Sequence, residues 1–303
     1  MKAVQATVYG SSDVLKVTDI AEPVPKEGQV LVDVHAAGLN PFDLMILSGA
    51  YKERIPLTFP LTFGGDFAGT RRDTGEEVYG TAIVLSGGSG SYAEAAVISP
   101  QKLAAKPKNV SFPEAAALPV AGMTAVEAIA DHMKLTKGQK ILIHGGAGGV
   151  GHYAIQYAKS LGAYVITTAS ADDAEFVKSL GADESIDYTT QAFETVVSGV
   201  DGVLDTIGKD VTTKSYQVIK PGGTLVTLVN QADSALKQRY QVNVTEQNTK
   251  TDAPQLARLA GLVERGVIKP HIDKVFQLAQ TAEAVAHLSH GHPRGKVVVQ
   301  VTQ

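Results

Sequence analysis

The residues best suited to do chemistry are a mid-chain run, Gly146-Ala147-Gly148-Gly149-Val150-Gly151, which reads G-x-G-x-x-G. With 30 glycines in 303 residues such a match can arise by accident, so its context has to decide. Lys140 to His144 is a short apolar run that reads as a buried parallel strand, and Val150 to Leu161 has helical periodicity. The glycines thus fall between a strand and a helix. In that setting Gly146 permits the tight turn, Gly148 lets backbone approach a ligand closely, and Gly151 lets the helix pack on the strand. Gly149 and Val150 lie in the same turn, where the free N–H groups and positive dipole end of the helix face an anion. The chemistry this serves is the binding of a dinucleotide pyrophosphate. The alternative is a strand–turn–helix with no ligand.

The next strand, Tyr164 to Ala169, ends Thr167-Thr168-Ala169-Ser170. A dinucleotide fold that prefers a free ribose 2′-OH carries an acid there. A small polar end instead leaves room for a 2′-phosphate, which favours NADPH and leaves NADH possible. Ser170 could donate to that phosphate, and Lys178 could neutralise it if its helix faces the site; otherwise Lys178 is a solvated helix position. Asp172 and Asp173 argue the other way, since either could reach a ribose and both would repel a phosphate.

Other reactive side chains have plainer readings. His287, His290 and His292 do not share one helix face, and Pro293 marks a loop, so a polar loop is expected rather than a metal site. His144 reads as a core or loop residue near the cofactor. Tyr51 could line a substrate site or pack beneath it. Asp43 and Asp66 are placed on opposite sides of an N-terminal loop, with Asp66 a turn and hydrogen-bonding acid rather than a base.

The elements that must position these residues fall into two patterns. Residues 1 to about 115 read as short strands (1–8, 29–36, 76–82 and 92–98) separated by Gly, Pro and Asp turns, which suggests a small barrel-like β domain. From residue 115 strand and helix alternate. Strands at 140–144, 164–169, 184–188, 202–207 and 223–229, with helices between them, predict an α/β doubly wound parallel sheet. A helix at 254–265 precedes strands at 274–278 and 296–301, so the tail is expected to return to the first domain. The division expected is 1–117 completed by 266–303, and 118–265. A balance of 27 basic against 31 acidic residues, −4 in all, is too mild to imply nucleic-acid or membrane-surface binding. The sequence has no cysteine, which excludes disulfides, thiol nucleophiles and Cys-ligated zinc. No signal triad and no long apolar span is seen, and a soluble cytoplasmic protein is expected.

Taken in order, several further motifs carry a resemblance. They are 36–43 (Ala-Ala-Gly-Leu-Asn-Pro-Phe-Asp), Gly49-Ala50-Tyr51, 64–69 (Gly-Gly-Asp-Phe-Ala-Gly) and 117–125 (Ala-Leu-Pro-Val-Ala-Gly-Met-Thr-Ala). After the glycine loop come Leu180-Gly181-Ala182-Asp183, Ile186-Asp187-Tyr188, Lys220-Pro221-Gly222-Gly223 and Arg294-Gly295-Lys296-Val297-Val298. Over nearly its whole length the chain resembles the zinc-independent medium-chain dehydrogenases/reductases, in the quinone oxidoreductase-like branch. The resemblance implies a GroES-like β-barrel domain and a Rossmann domain. It implies that Asn40 lies on the nicotinamide side, Thr124 near the nicotinamide phosphate, and Gly148, Gly149 and Val150 at the pyrophosphate. Tyr188 would lie near the adenosine 2′-phosphate and Val229 near the carboxamide, with Arg294 a further cofactor residue or simply a surface arginine. A homodimer paired through the Rossmann sheet edge is also implied, and the loops 50–60 and 229–247 are expected to line the substrate site.

Zinc members of the superfamily bind their metals through Cys and His. Here the early motif carries Asn40-Pro41-Phe42-Asp43, and Gly65-Asp66 stands where zinc members have His-Glu, so no zinc is expected. The loop 70–75 is short for the family. Without a Lewis acid an alcohol is hard to polarise, whereas a quinone or an α,β-unsaturated carbonyl is already electrophilic. Hydride transfer from NADPH to such an acceptor is therefore the expected function, with the proton from water and no residue assigned as obligatory acid. The alternatives are reduction of enoyl thioesters and a non-enzymatic NADPH-binding redox sensor.

Overall fold

The computed structural model describes residues 1–53, 56–229 and 231–302. In chain order the first strands are β1 (Lys2–Ala6), β2 (Lys16–Asp19) and β3 (Val30–Gly38), followed by helix α1 (Pro41–Leu47). Then come β4 (Leu61–Thr62), β5 (Asp66–Arg71), β6 (Glu77–Thr81), β7 (Ala95–Ile98), β8 (Leu103–Ala105), α2 (Phe112–Ala116) and α3 (Pro119–Val126). The middle of the chain holds β9 (Lys140–His144), α4 (Gly151–Ser160), β10 (Tyr164–Ala169), α5 (Ala174–Ser179), β11 (Glu184–Asp187), β12 (Val200–Asp205) and α6 (Asp210–Ser215). It continues with β13 (Ile219–Thr227), α7 (Ser234–Tyr240) and β14 (Asn243–Glu246). The tail adds α8 (Ala253–Glu264), β15 (Ile272–Gln277), α9 (Thr281–His290) and β16 (Lys296–Gln300).

The chain divides into two compact units, Met1–Met123 with Lys250–Gly266 and Pro270–Gln303, and Thr124–Thr249 with Val267–Lys269. This differs from the division expected at 117/118 and 265/266. The reason is the amphipathic helix α8, which buries Leu256, Leu259 and Val263. The Tyr79 hydroxyl donates to the carbonyl of Leu256 at 2.6 Å and the Asn109 amide to that of Val263 at 3.1 Å, which ties the helix to the β-rich unit.

In the first unit β3 is the hub. Its valines at 30, 32 and 34 point inward, and Ala36-Ala37-Gly38 is buried throughout. On one side β3 pairs antiparallel with β5, from Val32 opposite Arg71 to Gly38 opposite Asp66. On the other it pairs with β7 through its first half and with β16 through its last residues. Strand β16 of the tail thus pairs with β3, with Val297, Val298 and Val299 fully buried. Gly38 is required here, because a Cβ would lie 2.1 Å from the carbonyl oxygen of Ala116. A smaller sheet, β2-β1-β4, completes the unit. The expected strands at its start were too few: β2, β4, β5 and β8, with helix α1, are additional.

The second unit is a wholly parallel six-stranded sheet in the order β11-β10-β9-β12-β13-β14. Ile141, Leu142 and Ile143 are fully buried, as expected of a strand covered by helices on both faces. The order reverses between β9 and β12. A doubly wound sheet opens its ligand crevice at that point, at the carboxyl ends of the strands. The outermost strand, β14, is an addition to the five expected.

Candidate functional site

The loop leaving β9 is built from three different uses of glycine. Gly145, not Gly146, takes the left-handed turn, with φ of 70°. Gly146 is instead a packing position, since a Cβ there would lie 2.0 Å from the hydroxyl of Thr167. At Gly151 a Cβ would lie 2.2 Å from the carbonyl oxygen of Gly145, so the helix can start against the turn only with glycine. Gly148 is unlike these, because the nearest atom to its Cβ position is 3.4 Å away. Nothing in the protein demands a glycine at 148, which leaves the space above it for a ligand. The loop is tied down from β10, with the amide of Gly145 donating to the Thr168 hydroxyl at 3.2 Å and that of Gly146 to the Thr168 carbonyl at 3.1 Å. α4 begins at Gly151, and the first N–H groups of a helix have no partner within it. Gly149, Val150 and the open face of Gly148 lie at this helix start.

Beside the loop, β10 ends at Ala169, and the amide of Tyr188 donates to its carbonyl at 3.3 Å. Ser170 and Tyr188 are thereby brought together at the strand ends, with Tyr188 exposed. The Ser170 hydroxyl, expected to be available for a phosphate, donates to Oδ2 of Asp173 at 2.7 Å. A carboxylate therefore stands next to the serine. Lys178 sits in the last turn of α5, exposed, rather than at the helix start beside Ser170.

On the other side of the sheet Val229 follows β13 and is exposed. Thr124 is buried, its hydroxyl 2.7 Å from that of Thr249, and its carbonyl accepts from the Gln247 amide at 3.0 Å. His144 is buried at the end of β9. Its Nδ1 lies 3.2 Å from the Thr168 hydroxyl and its Nε2 3.0 Å from that of Ser215, while its ring meets Phe193 edge-on at 4.5 Å. Burial pushes its pKa down to about 4, so it is neutral at pH 7 and braces the loop from behind. Of the loops expected to line a substrate site, Arg54, Ile55 and Asn230 lie outside the described residues.

The first unit holds a polar cluster that the sequence reading missed. Asn40 caps α1, its backbone N–H donating to Oδ2 of Asp43 at 2.8 Å. Its side-chain amide donates to Oδ2 of Asp66 at 2.9 Å, and its amide oxygen accepts from Nζ of Lys296 at 2.5 Å. Lys296 also donates to the Leu39 carbonyl at 2.7 Å, and its Nζ is 3.9 Å from Asp66. Oδ1 of Asp66 accepts from the amide of Val120 at 3.2 Å, and the Tyr92 hydroxyl donates to Asp43 at 3.4 Å. Lys296, Asp66 and Asp43 are all buried. Asp43 and Asp66 are thus members of one cluster, not residues on opposite sides of a loop. Burial and the neighbouring Asp66 carboxylate push Asp43 up to about 7; burial pushes Asp66 up to about 6 and Lys296 down. The only sequence signal for this was a lysine heading an apolar strand.

The remaining candidates take plain roles. His287 pairs through Nε2 with Asp273 at 2.7 Å, and the backbone N–H of the exposed Arg294 donates to the same Asp273 at 3.2 Å. Tyr51 packs edge-on against Phe42 with ring centroids 5.6 Å apart. Among the described residues no group of three or more His, Cys, Asp or Glu is clustered to hold a metal.

Comparison with known proteins places this geometry. Residues 26–108 match the alcohol dehydrogenase GroES-like domain, and residues 180–299 match the family described as zinc-binding dehydrogenase. A 2-methylene-furan-3-one reductase of Solanum lycopersicum is 38% identical over 99% of this chain and 79% of its own. The chain belongs to the medium-chain dehydrogenases/reductases, in their zinc-independent, quinone oxidoreductase-like branch. Within that branch, a chloroplastic NADPH-dependent alkenal/one oxidoreductase of Arabidopsis thaliana is 37% identical over 99% of this chain and 79% of its own. The quinone oxidoreductase of Coxiella burnetii superposes with a TM-score of 0.90 at 33% identity, covering 100% of this chain and 99% of that one. The β-rich unit is the GroES-like domain and the parallel sheet the Rossmann domain. This medium-chain oxidoreductase has no cysteine, and the positions 40–43 and 65–66, compared above with those of zinc members, hold the Asn40, Asp43 and Asp66 cluster around Lys296.

Proposed function

We propose that the chain is an NADPH-dependent oxidoreductase that delivers hydride to quinones or α,β-unsaturated carbonyls without zinc. The observation that carries this is the cradle at Gly148, open where Gly146 and Gly151 are filled, at the head of α4 and at the reversal of strand order. It fits a pyrophosphate, since backbone N–H groups and a helix dipole meet an anion with no side chain in the way. Bound NADPH would supply the hydride. The chain's own residues hold and orient the cofactor: Gly146, Gly148, Gly149, Val150 and Gly151 at the pyrophosphate, with Thr124 beside it. Tyr188 and Ser170 serve the adenosine end, Asn40 and Val229 the nicotinamide end, and Arg294 a further contact. Orientation supplies much of the catalysis when the acceptor is already electrophilic. The reduced product takes its proton from water. The names of the relatives, an NADPH-dependent alkenal/one oxidoreductase among them, support this choice of cofactor and acceptor.

We also propose that the protein is a cytoplasmic homodimer. β14 is one of the two edge strands of the parallel sheet, and an edge with no partner among the described residues is a ready site for a second copy. No helix of the described residues is long and apolar enough to cross a membrane.

The deciding experiment follows the absorbance of NADPH and of NADH against a panel of quinones and enones. Turnover faster with NADPH supports the proposal. Good oxidation of simple alcohols with no reduction of quinones or enones overturns it, and cofactor binding without any turnover moves the thioester and sensor readings ahead.

A further inference from the structure

We propose that Lys296 is a positioning residue for Asn40: its buried ammonium fixes the orientation of the asparagine amide that the nicotinamide side of the cofactor is to meet. The inference rests on the role proposed above for Asn40. An asparagine amide can be turned over with little change in shape, and its neighbours decide which end is which. Here the neighbours leave one choice. Lys296 has only donors, and it meets Oδ1 at 2.5 Å. Asp66 offers a carboxylate, and it meets Nδ2 at 2.9 Å. The Lys296 ammonium is itself held by the Leu39 carbonyl at 2.7 Å, one residue before Asn40, so the lysine grips both the backbone and the side chain of the segment it orients. The backbone N–H of Asn40 is committed to Asp43. After these bonds the asparagine retains one N–H on Nδ2 and one lone pair on Oδ1, both in a fixed plane. That is a directional donor and acceptor of the kind that a ribose or a carboxamide reads.

A lysine kept only for stability would serve any side chain at 40 equally. Burying an ammonium is costly, and the two buried carboxylates that offset it, Asp43 and Asp66, face it from α1 and β5, with the Tyr92 hydroxyl on Asp43. The grip on the Asn40 amide is what distinguishes a positioning role from a structural one.

The test is a double-mutant cycle on the full-length protein, read as the dissociation constant of NADPH by its fluorescence without acceptor, with melting temperature alongside. Asn40→Ala and Lys296→Met are each expected to weaken NADPH about tenfold, the loss of one well-made directional contact, and the double variant no more than either alone. Lys296→Arg keeps charge and donors and is expected to recover part of the loss. If Lys296→Met does not fold, the same cycle is run with Lys296→Arg, whose displaced donors should weaken NADPH only when Asn40 is present. Additive effects, or a loss at Lys296 that persists in the Asn40→Ala background, overturn the inference. If Asn40→Ala leaves NADPH affinity unchanged, the role of Asn40 falls and this inference with it, while the glycine-loop reading stands or falls separately on Gly148.

Discussion

At the end of β10 a serine and an acid are joined, Ser170 donating to Asp173 at 2.7 Å. A 2′-phosphate brings nearly two further negative charges. Set beside a carboxylate it is disfavoured, whereas a free ribose hydroxyl can donate to the same acid. If the adenosine end seats here as proposed, Asp173 limits the preference for NADPH that the absence of an acid at Ser170 would otherwise create. Asp173→Asn should raise the ratio of kcat/KM for NADPH over NADH by about tenfold, roughly 1.4 kcal/mol of differential binding. An unchanged ratio shows that the cofactor's adenosine end does not reach this pair. The buried acids of the first unit make a second residue-scale prediction. Asp43 moves from its ordinary 3.8 up to about 7, chiefly by burial and then by the Asp66 carboxylate. The folded state then holds a proton that the unfolded state releases, so between about pH 4 and about pH 7 this group costs stability as pH rises, and above about pH 7 the loss is complete. Asp66, pushed up to about 6, acts in the same sense over the lower part of that window. Asp43→Asn cannot ionise yet still offers an oxygen to the Asn40 N–H. Its melting temperature relative to wild type should therefore improve between pH 5 and pH 8, by about 2–4 °C for each 1 kcal/mol of charge burial relieved. A difference that stays flat across that range sinks this assignment.

The β9–loop–α4 element separates glycines that the fold needs from the one proposed to serve a ligand. Gly151→Ala would put a methyl group 2.2 Å from the Gly145 carbonyl oxygen, so backbone has to move. Overpacking of that kind costs about 1–3 kcal/mol, and both melting temperature and NADPH affinity should fall. Gly148→Ala meets nothing closer than 3.4 Å, so its melting temperature should match wild type while NADPH affinity falls tenfold or more. Equal affinity in Gly148→Ala would show that no pyrophosphate seats there. The element itself was legible in the sequence, because an apolar strand, a glycine run and a helical period fall in immediate succession. What was not legible was which glycine turns the chain, since φ at 145 and 146 depends on how Thr167 and Thr168 of the next strand close over the loop. Strand β14 was missed for a related reason: Asn243–Glu246 is short, polar and half exposed, and its partner β13 alone makes it a strand. Helix α1 was readable, as Asn40, Pro41 and Asp43 are an N-cap, a first-turn proline and an N3 acid, but seven residues of mixed polarity are too few for a period. The cluster around Lys296 was hardly legible beyond a lysine heading an apolar strand, because Asp43, Asp66 and Lys296 lie far apart in the chain and the pairing of β3 with β5 and β16 gathers them.

Across the whole molecule, the residues proposed above for the cofactor fall in different compact units: Asn40 and Arg294 belong to one, and the glycine loop, Thr124, Ser170, Tyr188 and Val229 to the other. Each unit has its own buried core. This makes the division of labour measurable by amide exchange. A loop that must open to exchange, and must release its ligand to open, gains protection by the ratio of ligand to dissociation constant, up to about a hundredfold at a hundredfold excess. With NADPH in such excess, amides across 145–151 should slow if the glycine cradle holds the pyrophosphate. Those at 39–44 should slow as well, because Asn40, its cap on α1 and its hold on Lys296 would be braced by the same ligand. Protection confined to 145–151 would leave a Rossmann unit that binds the cofactor alone and would remove Asn40 from the site. Slowing in both stretches, lost from 39–44 in Asn40→Ala but kept at 145–151, is the pattern expected if Asn40 and the glycine loop both have the roles proposed for them.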